Sequence, residues 1–244
     1  MKALLLAAGL GTRLRPFTLH HPKALAMVNG KSLLQRNVEY LQQHGITEVI
    51  VNVHHFADQI IQTIDINKGW GSNISISDET DAVLETGGGL QKAAWYFEKE
   101  ESFVVMNVDM LTTLPLTKMI QQHEANKPLA TLAITDRTSS RYLLFDTNNK
   151  LCGWRNTTTL EEKGAVLVYT EPQKQALAAK AFSGIHVINT QIFNLIEQQG
   201  KFSLIDVYMS LCGSQTIEGF NHSDSLLIDV GRPESIMKAE GLFV

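Results

Sequence analysis

Strand-length apolar runs alternate with helix-length amphipathic segments through the first half of the chain, and this alternation restricts the fold more than any other feature. Ala3–Ala7 is continuously apolar, as a strand covered on both faces requires. Leu33–Gln43 places Leu33, Leu34, Val38 and Leu41 at helical spacing, with Ser32 as an N-cap and Gly45 just past the end. Glu48–Val53 reads as a second strand, Ala57–Ile66 as a second helix and Ile74–Ser77 as a short strand. Leu90–Phe97 reads as a helix reached through glycines, Phe103–Asn107 as a strand, Leu116–Ala125 as a helix and Ala130–Thr135 as extended. Strand–helix–strand repetition with short connections predicts an α/β fold, a mostly parallel mixed sheet with helices on both faces.

The pattern changes after Arg137. Tyr142–Phe145 and Lys150–Trp154 flank Asp146-Thr147-Asn148-Asn149, a hairpin signal. Thr157–Lys163 is polar and loop-like. Val166–Tyr169 and Phe182–Ile188 read as extended, Gln191–Gln198 and Leu204–Leu211 as helices, and Leu226–Ile228 as a strand before a closing helix from Pro233. No Pro- or Ser-rich linker divides these parts, and no repeat of roughly 20–50 residues is present. The chain has 244 residues. An ordinary domain has roughly 100–200. The expectation is therefore one domain over 1–244, with 137–182 as an insertion covering one side.

Composition removes several function classes. Apolar residues are 44% and charged residues 19%, enough core-forming material to exclude general disorder. With 21 basic and 25 acidic residues the net charge is −4, so nothing draws the chain as a whole to nucleic acid or anionic membranes. Phosphate binding then has to come from a local basic site. Cys152 and Cys212 make neither a disulfide framework nor a zinc site and fit a reducing cytoplasm. No run approaches the roughly 18 apolar residues of a membrane span. The apolar stretch after Lys2 is short for a secretion signal, and Arg13 and Arg15 stand where a cleavage site belongs.

The segment Ala8-Gly9-Leu10-Gly11-Thr12-Arg13-Leu14-Arg15-Pro16 follows the first strand directly. Its glycines let backbone N–H groups approach an anion, and in an open parallel sheet ligands bind beyond the carboxyl ends of strands. A dinucleotide fingerprint needs a third glycine where Leu14 stands and an immediate helix, which Pro16 and Pro22 oppose. A Walker loop is hinted at by Gly30-Lys31-Ser32, but Leu25 occupies the place of its first glycine. The remaining option is a long irregular loop that brings Arg13, Arg15 and Lys23 around a triphosphate. Asp109 and Asp229 each follow a strand at the same sheet edge. Two such carboxylates suit one Mg²⁺ shared with substrate phosphates and water.

Leu6–Pro16 with Pro22-Lys23 resembles the signature loop of sugar-1-phosphate nucleotidylyltransferases. Leu84-Glu85-Thr86-Gly87-Gly88-Gly89, Asn107-Val108-Asp109, Phe182-Ser183-Gly184-Ile185 and Asp229-Val230-Gly231 continue the resemblance in family order across almost the whole chain. The chain length and the Leu84–Gly89 segment look most like N-acetylmuramate-1-phosphate uridylyltransferase, with mannose- and heptose-1-phosphate guanylyltransferases as near relatives. The resemblance implies a Rossmann-like fold of the nucleotide-diphospho-sugar transferase type. In it, 1–136 is mainly the nucleotide half, 137–182 the sugar-side insertion, and 183–244 completes the sheet and metal site. It implies transfer of a nucleotidyl group from UTP or GTP to a sugar 1-phosphate, with Mg²⁺ held by Asp109 and Asp229. Ala8, Gly9, Gly11, Thr12, Arg13, Lys23, Glu85 and Gly88 would bind nucleotide, and Asn107, Ser183 and Gly184 the sugar side. Arg13 and Lys23 would be catalytic, Arg13 on the leaving pyrophosphate and Lys23 on the α-phosphate or incoming phosphate.

Three departures are visible. Val108 stands where the family has glycine, so a side chain there would crowd the phosphates or demand another backbone angle. The family's Glu-Lys-Pro lysine has no clean counterpart; Glu162-Lys163-Gly164 is the nearest, with Lys163 read as a solvated charge. Arg141-Tyr142-Leu143 carries leucine in place of a family glycine. His54-His55 point to opposite sides of an extended chain and read as structural; nothing in the pattern demands a role for His20-His21. The chain runs only a short way past Asp229, so no appended acyltransferase repeat is expected. Two rival readings stand beside the transferase: a nucleotide-binding regulatory protein with weak or no turnover, and an NAD-dependent oxidoreductase.

Overall fold

The computed structural model describes residues 1–243. In chain order β1 is Ala3–Leu6, β2 Met27–Val28, β3 Lys31–Ser32, α1 Leu33–Gln43, β4 Glu48–Val53, α2 Ala57–Ile66 and β5 Asn73–Asp78. Next come α3 Glu85–Lys92, β6 Ser102–Asn107, β7 Met110–Thr112, α4 Leu116–Asn126 and β8 Ala130–Thr135. The second half holds β9 Arg141–Phe145, β10 Leu151–Asn156, β11 Glu162–Lys163, α5 Glu171–Gln175 and β12 Ala178–Asn189. It closes with α6 Leu204–Leu211, β13 Ile217–Asn221, β14 Leu227–Asp229 and α7 Pro233–Leu242.

Ten strands share one mixed sheet. β1 lies between β4 and β6, parallel to both, and β4 continues parallel to β5. The long β12 then pairs antiparallel with β6, β8 and β9, and the predicted β9–β10 hairpin follows. The first half is thus the parallel part of the sheet and the insertion its antiparallel part. Alternate residues of the central strands feed two cores. Leu4, Leu6 and Val105 belong to one, and Ala3, Leu5, Val104 and Met106 to the other. Burying such aliphatic side chains on both faces, at about 1.5–3 kcal/mol each, explains why these strands are continuously apolar. The register sets Asn52 and Asn107 on either side of Leu6, at the edge where the glycine-rich loop leaves β1. No helix is long and apolar enough to cross a membrane among the described residues.

Several expected boundaries move. The glycines lie inside α3 rather than ahead of it, and Ala94–Phe97 is a separate 3₁₀ turn. Ala165–Val168 is a 3₁₀ turn, not a strand: Gly164 at φ 91° breaks the extended chain, leaving Val166 buried and Val168 exposed. The expected helix at Gln191–Gln198 shortens to a 3₁₀ turn, Thr190–Asn194. The loop read at Thr157–Lys163 ends in β11, which pairs with β10. β7, α5 and β13 were not expected. β13 hides because its five residues, Ile-Glu-Gly-Phe-Asn, offer little apolar signal, with Gly219 packed against Ile134.

Candidate active site

The loop after β1 is irregular, as the prolines require. Three short 3₁₀ turns, Thr12–Leu14, Phe17–Leu19 and Lys23–Leu25, fold it back across the end of the sheet. Gly11 has φ 59°, and an added Cβ would lie 3.0 Å from both the Lys23 and Thr18 side chains. Glycine there permits the reversal and lets Lys23 pass close beneath. Thr18 Oγ1 and the Leu14 N–H both donate to the Gly11 carbonyl, at 2.9 and 2.8 Å. Among the described residues the N–H groups of Gly9, Leu10 and Gly11 donate to nothing. They are available to an anion.

A cavity of about 560 Å³ opens over this loop. Of the predicted nucleotide residues, Ala8, Gly9, Gly11, Thr12, Arg13, Lys23 and Glu85 line it, as do Asn107 and Asp109. The two acids and two cations pair crosswise between segments distant in sequence. Lys23 Nζ bonds Asp109 Oδ2, and Arg13 Nη2 lies 3.7 Å from Asp229 Oδ2. Backbone brings the acids together: Asp229 stands opposite Met110 in the β7–β14 pair, and the Val230 N–H donates to the Asp109 carbonyl at 2.9 Å. The Asp229 carboxyl is pushed above the usual carboxylate range by burial and then by the charge of Asp109. Lys23 and Arg13 offset that only partly. Two adjoining carboxylates, one of them held above its usual range by burial and by the charge of the other, are a donor set a divalent cation would relieve, so the residues fit the Mg²⁺ that the resemblance implies.

Val108 lines the cavity, where a family glycine would leave more room, but it needs no special backbone angle. It is buried in the core, and its backbone is outside the positive-φ region. Its N–H donates to the Leu6 carbonyl and its carbonyl accepts from Asn37 Nδ2 at 2.8 Å.

Other predicted residues lie off the cavity. Gly88 is buried inside α3, where an added Cβ would overlap the Gly200 carbonyl oxygen; its glycine serves helix packing. Ser183 is fully buried and its hydroxyl pairs with His222 Nε2 at 2.8 Å, so it is not on the cavity wall. Gly184, at φ 72°, lies behind Asn107, where a Cβ would come within 2.8 Å of Asn107 Nδ2. Lys163 Nζ is held by Asp206 at 2.9 Å. His54 Nδ1 pairs with the Glu79 carbonyl oxygen at 2.6 Å, and His21 Nδ1 with Gln59 Oε1 at 3.0 Å. Neither histidine lines the cavity.

Sequence reasoning missed Asn52, Glu79, Thr86, Lys201, Ser203 and Gly231, which also line it. Lys201 lies 3.5 Å from Glu85 across the opening. Of these Asn52 was recoverable: like Asn107, which the sequence did single out, it is a polar residue near the end of an apolar strand at the loop-bearing edge.

Comparison with known proteins gives a consistent picture. The profile described as "Nucleotidyl transferase" matches residues 2–242. A mannose-1-phosphate guanyltransferase 2 of Candida glabrata is 26% identical over the whole chain, which spans 65% of that protein's length. An N-acetylmuramate alpha-1-phosphate uridylyltransferase of Caulobacter vibrioides is 29% identical, over 98% of this chain and 95% of its own. Among solved structures, HddC from Yersinia pseudotuberculosis complexed with GMP-PN superposes with a TM-score of 0.79 at 23% identity, covering 100% and 99% of the two chains.

Proposed function

The chain belongs to the nucleotidyl transferase family, and from that premise we propose that it joins a nucleoside triphosphate to a sugar 1-phosphate, giving a nucleotide sugar and pyrophosphate. The observation that carries the reading is the crosswise pairing of Lys23 with Asp109 and Arg13 with Asp229 beside a loop with three free N–H groups. A phosphate oxygen of the sugar 1-phosphate bonds to the α-phosphorus. The bond from that phosphorus to the bridging oxygen breaks, and pyrophosphate leaves with the electron pair. The attacking oxygen is already anionic near pH 7, so alignment and charge neutralisation suffice without a general base.

In this reading Gly9–Gly11 cradle phosphate through their N–H groups. Arg13 meets the charge gathering on the departing pyrophosphate, and Lys23 steers the α-phosphate or the incoming phosphate. Asp109 and Asp229 would hold Mg²⁺, which neutralises phosphate charge when bound. UTP or GTP is the proposed donor, and N-acetylmuramate, mannose or heptose 1-phosphate the acceptor; relatives of both base types support this range. The test is pyrophosphate release with Mg²⁺ across four nucleotides and a panel of sugar 1-phosphates. Release with none of them, alongside tight nucleotide binding, would establish the regulatory reading instead. Metal-independent binding of NAD would establish the oxidoreductase.

Asp229 gives a pH prediction. Its pKa is raised in the folded chain, so without metal its contribution favours the fold below the ordinary carboxylate pKa and fades as pH rises through the raised value. Metal needs the ionised form. The gain in Tm from adding Mg²⁺ is therefore expected to be larger at pH 8 than at pH 5, which thermal melts at both pH values will measure; an equal gain would remove Asp229 from the metal site.

Lys163 is paired with Asp206 and lies off the cavity, so a second cation for the acceptor phosphate, in addition to Lys23, has to come from elsewhere. Arg137 follows β8 at the same sheet edge, its Nη2 donating to the Phe182 carbonyl at 2.8 Å, two residues before Gly184. Its charge reaches Asp229. Arg137→Ala is expected to raise the KM for the sugar 1-phosphate about tenfold while leaving that for the nucleotide unchanged. A shift in neither KM removes Arg137 from the site.

A further inference from the structure

Two buried polar residues on the cavity wall have no part in the chemistry described so far. Asn52 is the last residue but one of β4, is 2% exposed, and lies beside Leu6 across the β1–β4 ladder. Its Oδ1 accepts from the N–H groups of Ala7 and Ala8, at 2.6 and 3.2 Å. Its Nδ2 donates to Glu79 Oε1 at 2.8 Å. Glu79 is 1% exposed, and its other carboxylate oxygen is buried without a partner. Its own backbone is anchored, the N–H donating to the Val53 carbonyl at 2.7 Å and the carbonyl meeting His54. Gly89 brings α3 directly onto the pair: an added Cβ would lie 2.7 Å from Glu79 Oε1 and 2.8 Å from Asn52 Nδ2.

The two N–H groups Asn52 takes are those immediately before the free run Gly9–Gly11. We propose that Asn52, oriented by Glu79, is a positioning residue that divides the loop, tying its first two N–H groups to the sheet so that the phosphate-binding run begins at Gly9 in a fixed place. The amide is the side chain this requires. It must accept from the loop on one side and donate to a carboxylate on the other, from a place in β4, with Ala7 and Glu79 each directly following a strand of the same sheet. A buried carboxylate oxygen without a protein partner is costly to keep, so the pair contributes more to loop placement than to fold stability.

This rests on the phosphate-transfer reading, and the test separates the two. Binding of inorganic pyrophosphate with Mg²⁺ is measured by titration calorimetry on the full chain, and KM for nucleotide and for sugar 1-phosphate by pyrophosphate release. Asn52→Ala is expected to weaken pyrophosphate binding about tenfold or more, since the loop is no longer preorganised. The nucleotide KM rises with it and the sugar 1-phosphate KM holds. Asn52→Asp keeps the acceptor for Ala7 and Ala8 but sets a carboxylate against Glu79, and is expected to bind as weakly. Glu79→Gln keeps an oxygen for Asn52 and stays near wild type. The double variant Asn52→Asp with Glu79→Gln reverses the bond, the new amide donating to the new carboxylate, and is expected to restore binding to within about threefold. A double variant as weak as Asn52→Asp, or Asn52→Ala binding like wild type, overturns the proposal. Wild-type chain that binds no pyrophosphate removes the transferase reading itself and this inference with it.

Discussion

Asp109→Asn is expected to lower nucleotidyl transfer about 10²–10³-fold, the loss seen when one group aimed at transition-state charge is removed. The substitution keeps the side chain's shape and takes away its charge, so the effect reads electrostatics rather than packing. Asp109 has two partners to lose. Lys23 is only 10% exposed and is paired to it, and Asp229 is close enough for the Asp109 charge to raise its pKa. An asparagine there weakens the joint hold on a divalent cation and frees Lys23 to move off its aim. Asp229→Asn removes the second acid and is expected to act similarly, with less on Lys23. The measurement is steady-state pyrophosphate release at saturating Mg²⁺, with circular dichroism to show that the fold is retained. Near-wild-type turnover in a folded Asp109→Asn chain would falsify the two-acid site.

The parts of this architecture that were legible in the sequence are those with periodic physical causes. β1, β4 and β6 announce themselves because a strand buried on both faces carries an unbroken apolar run. α1 begins where Ser32 marks it, the Ser32 hydroxyl accepting from the Gln35 N–H at 3.1 Å. The loop was legible because glycine and proline act locally. Asp109 and Asp229 were visible as strand-end acids, although nothing in their spacing of more than a hundred residues shows that they meet; the β7–β14 pair and the Val230–Asp109 bond do that. What stayed hidden depends on tertiary approach. Lys163 looks like any solvated lysine until α6 presents Asp206 to it. Ser183 sits in a segment that suggests sugar contact, yet β12 turns its hydroxyl to His222. Asn52 shows only as a polar residue in an apolar strand, and Glu79 not at all, because their value lies in touching each other and, through Asn52, the loop.

Gly88→Ala is expected to destabilise the fold by about 1–3 kcal/mol, the usual cost of forcing a methyl group into filled space. For a chain of this size that lowers Tm by roughly 2–4 °C per kcal/mol. The residue's place in a glycine triplet beside the nucleotide invites a different role, in which its backbone lies against the base. Geometry favours packing: α3 and the Gly200–Phe202 segment are in direct contact, with the Gly87 and Gly88 N–H groups donating to the Phe202 carbonyl at 2.9 and 3.3 Å. A Cβ on Gly88 meets the Gly200 carbonyl oxygen, and backbone cannot swing aside as the end of a flexible side chain can. Helix propensity works the other way, since alanine is favoured over glycine by about 1 kcal/mol in a helix interior, so a net loss of stability means that the clash dominates. The two roles separate cleanly. Loss of stability with the order of preference among the four nucleotides intact identifies Gly88 as a packing glycine, and a changed preference at unchanged Tm identifies it as part of the base pocket. The first outcome is expected, because Lys201 and Ser203, on the segment α3 presses against, line the cavity while Gly88 does not. On that geometry the glycine acts at one remove, by letting the helix hold the Lys201–Ser203 stretch where it faces the site.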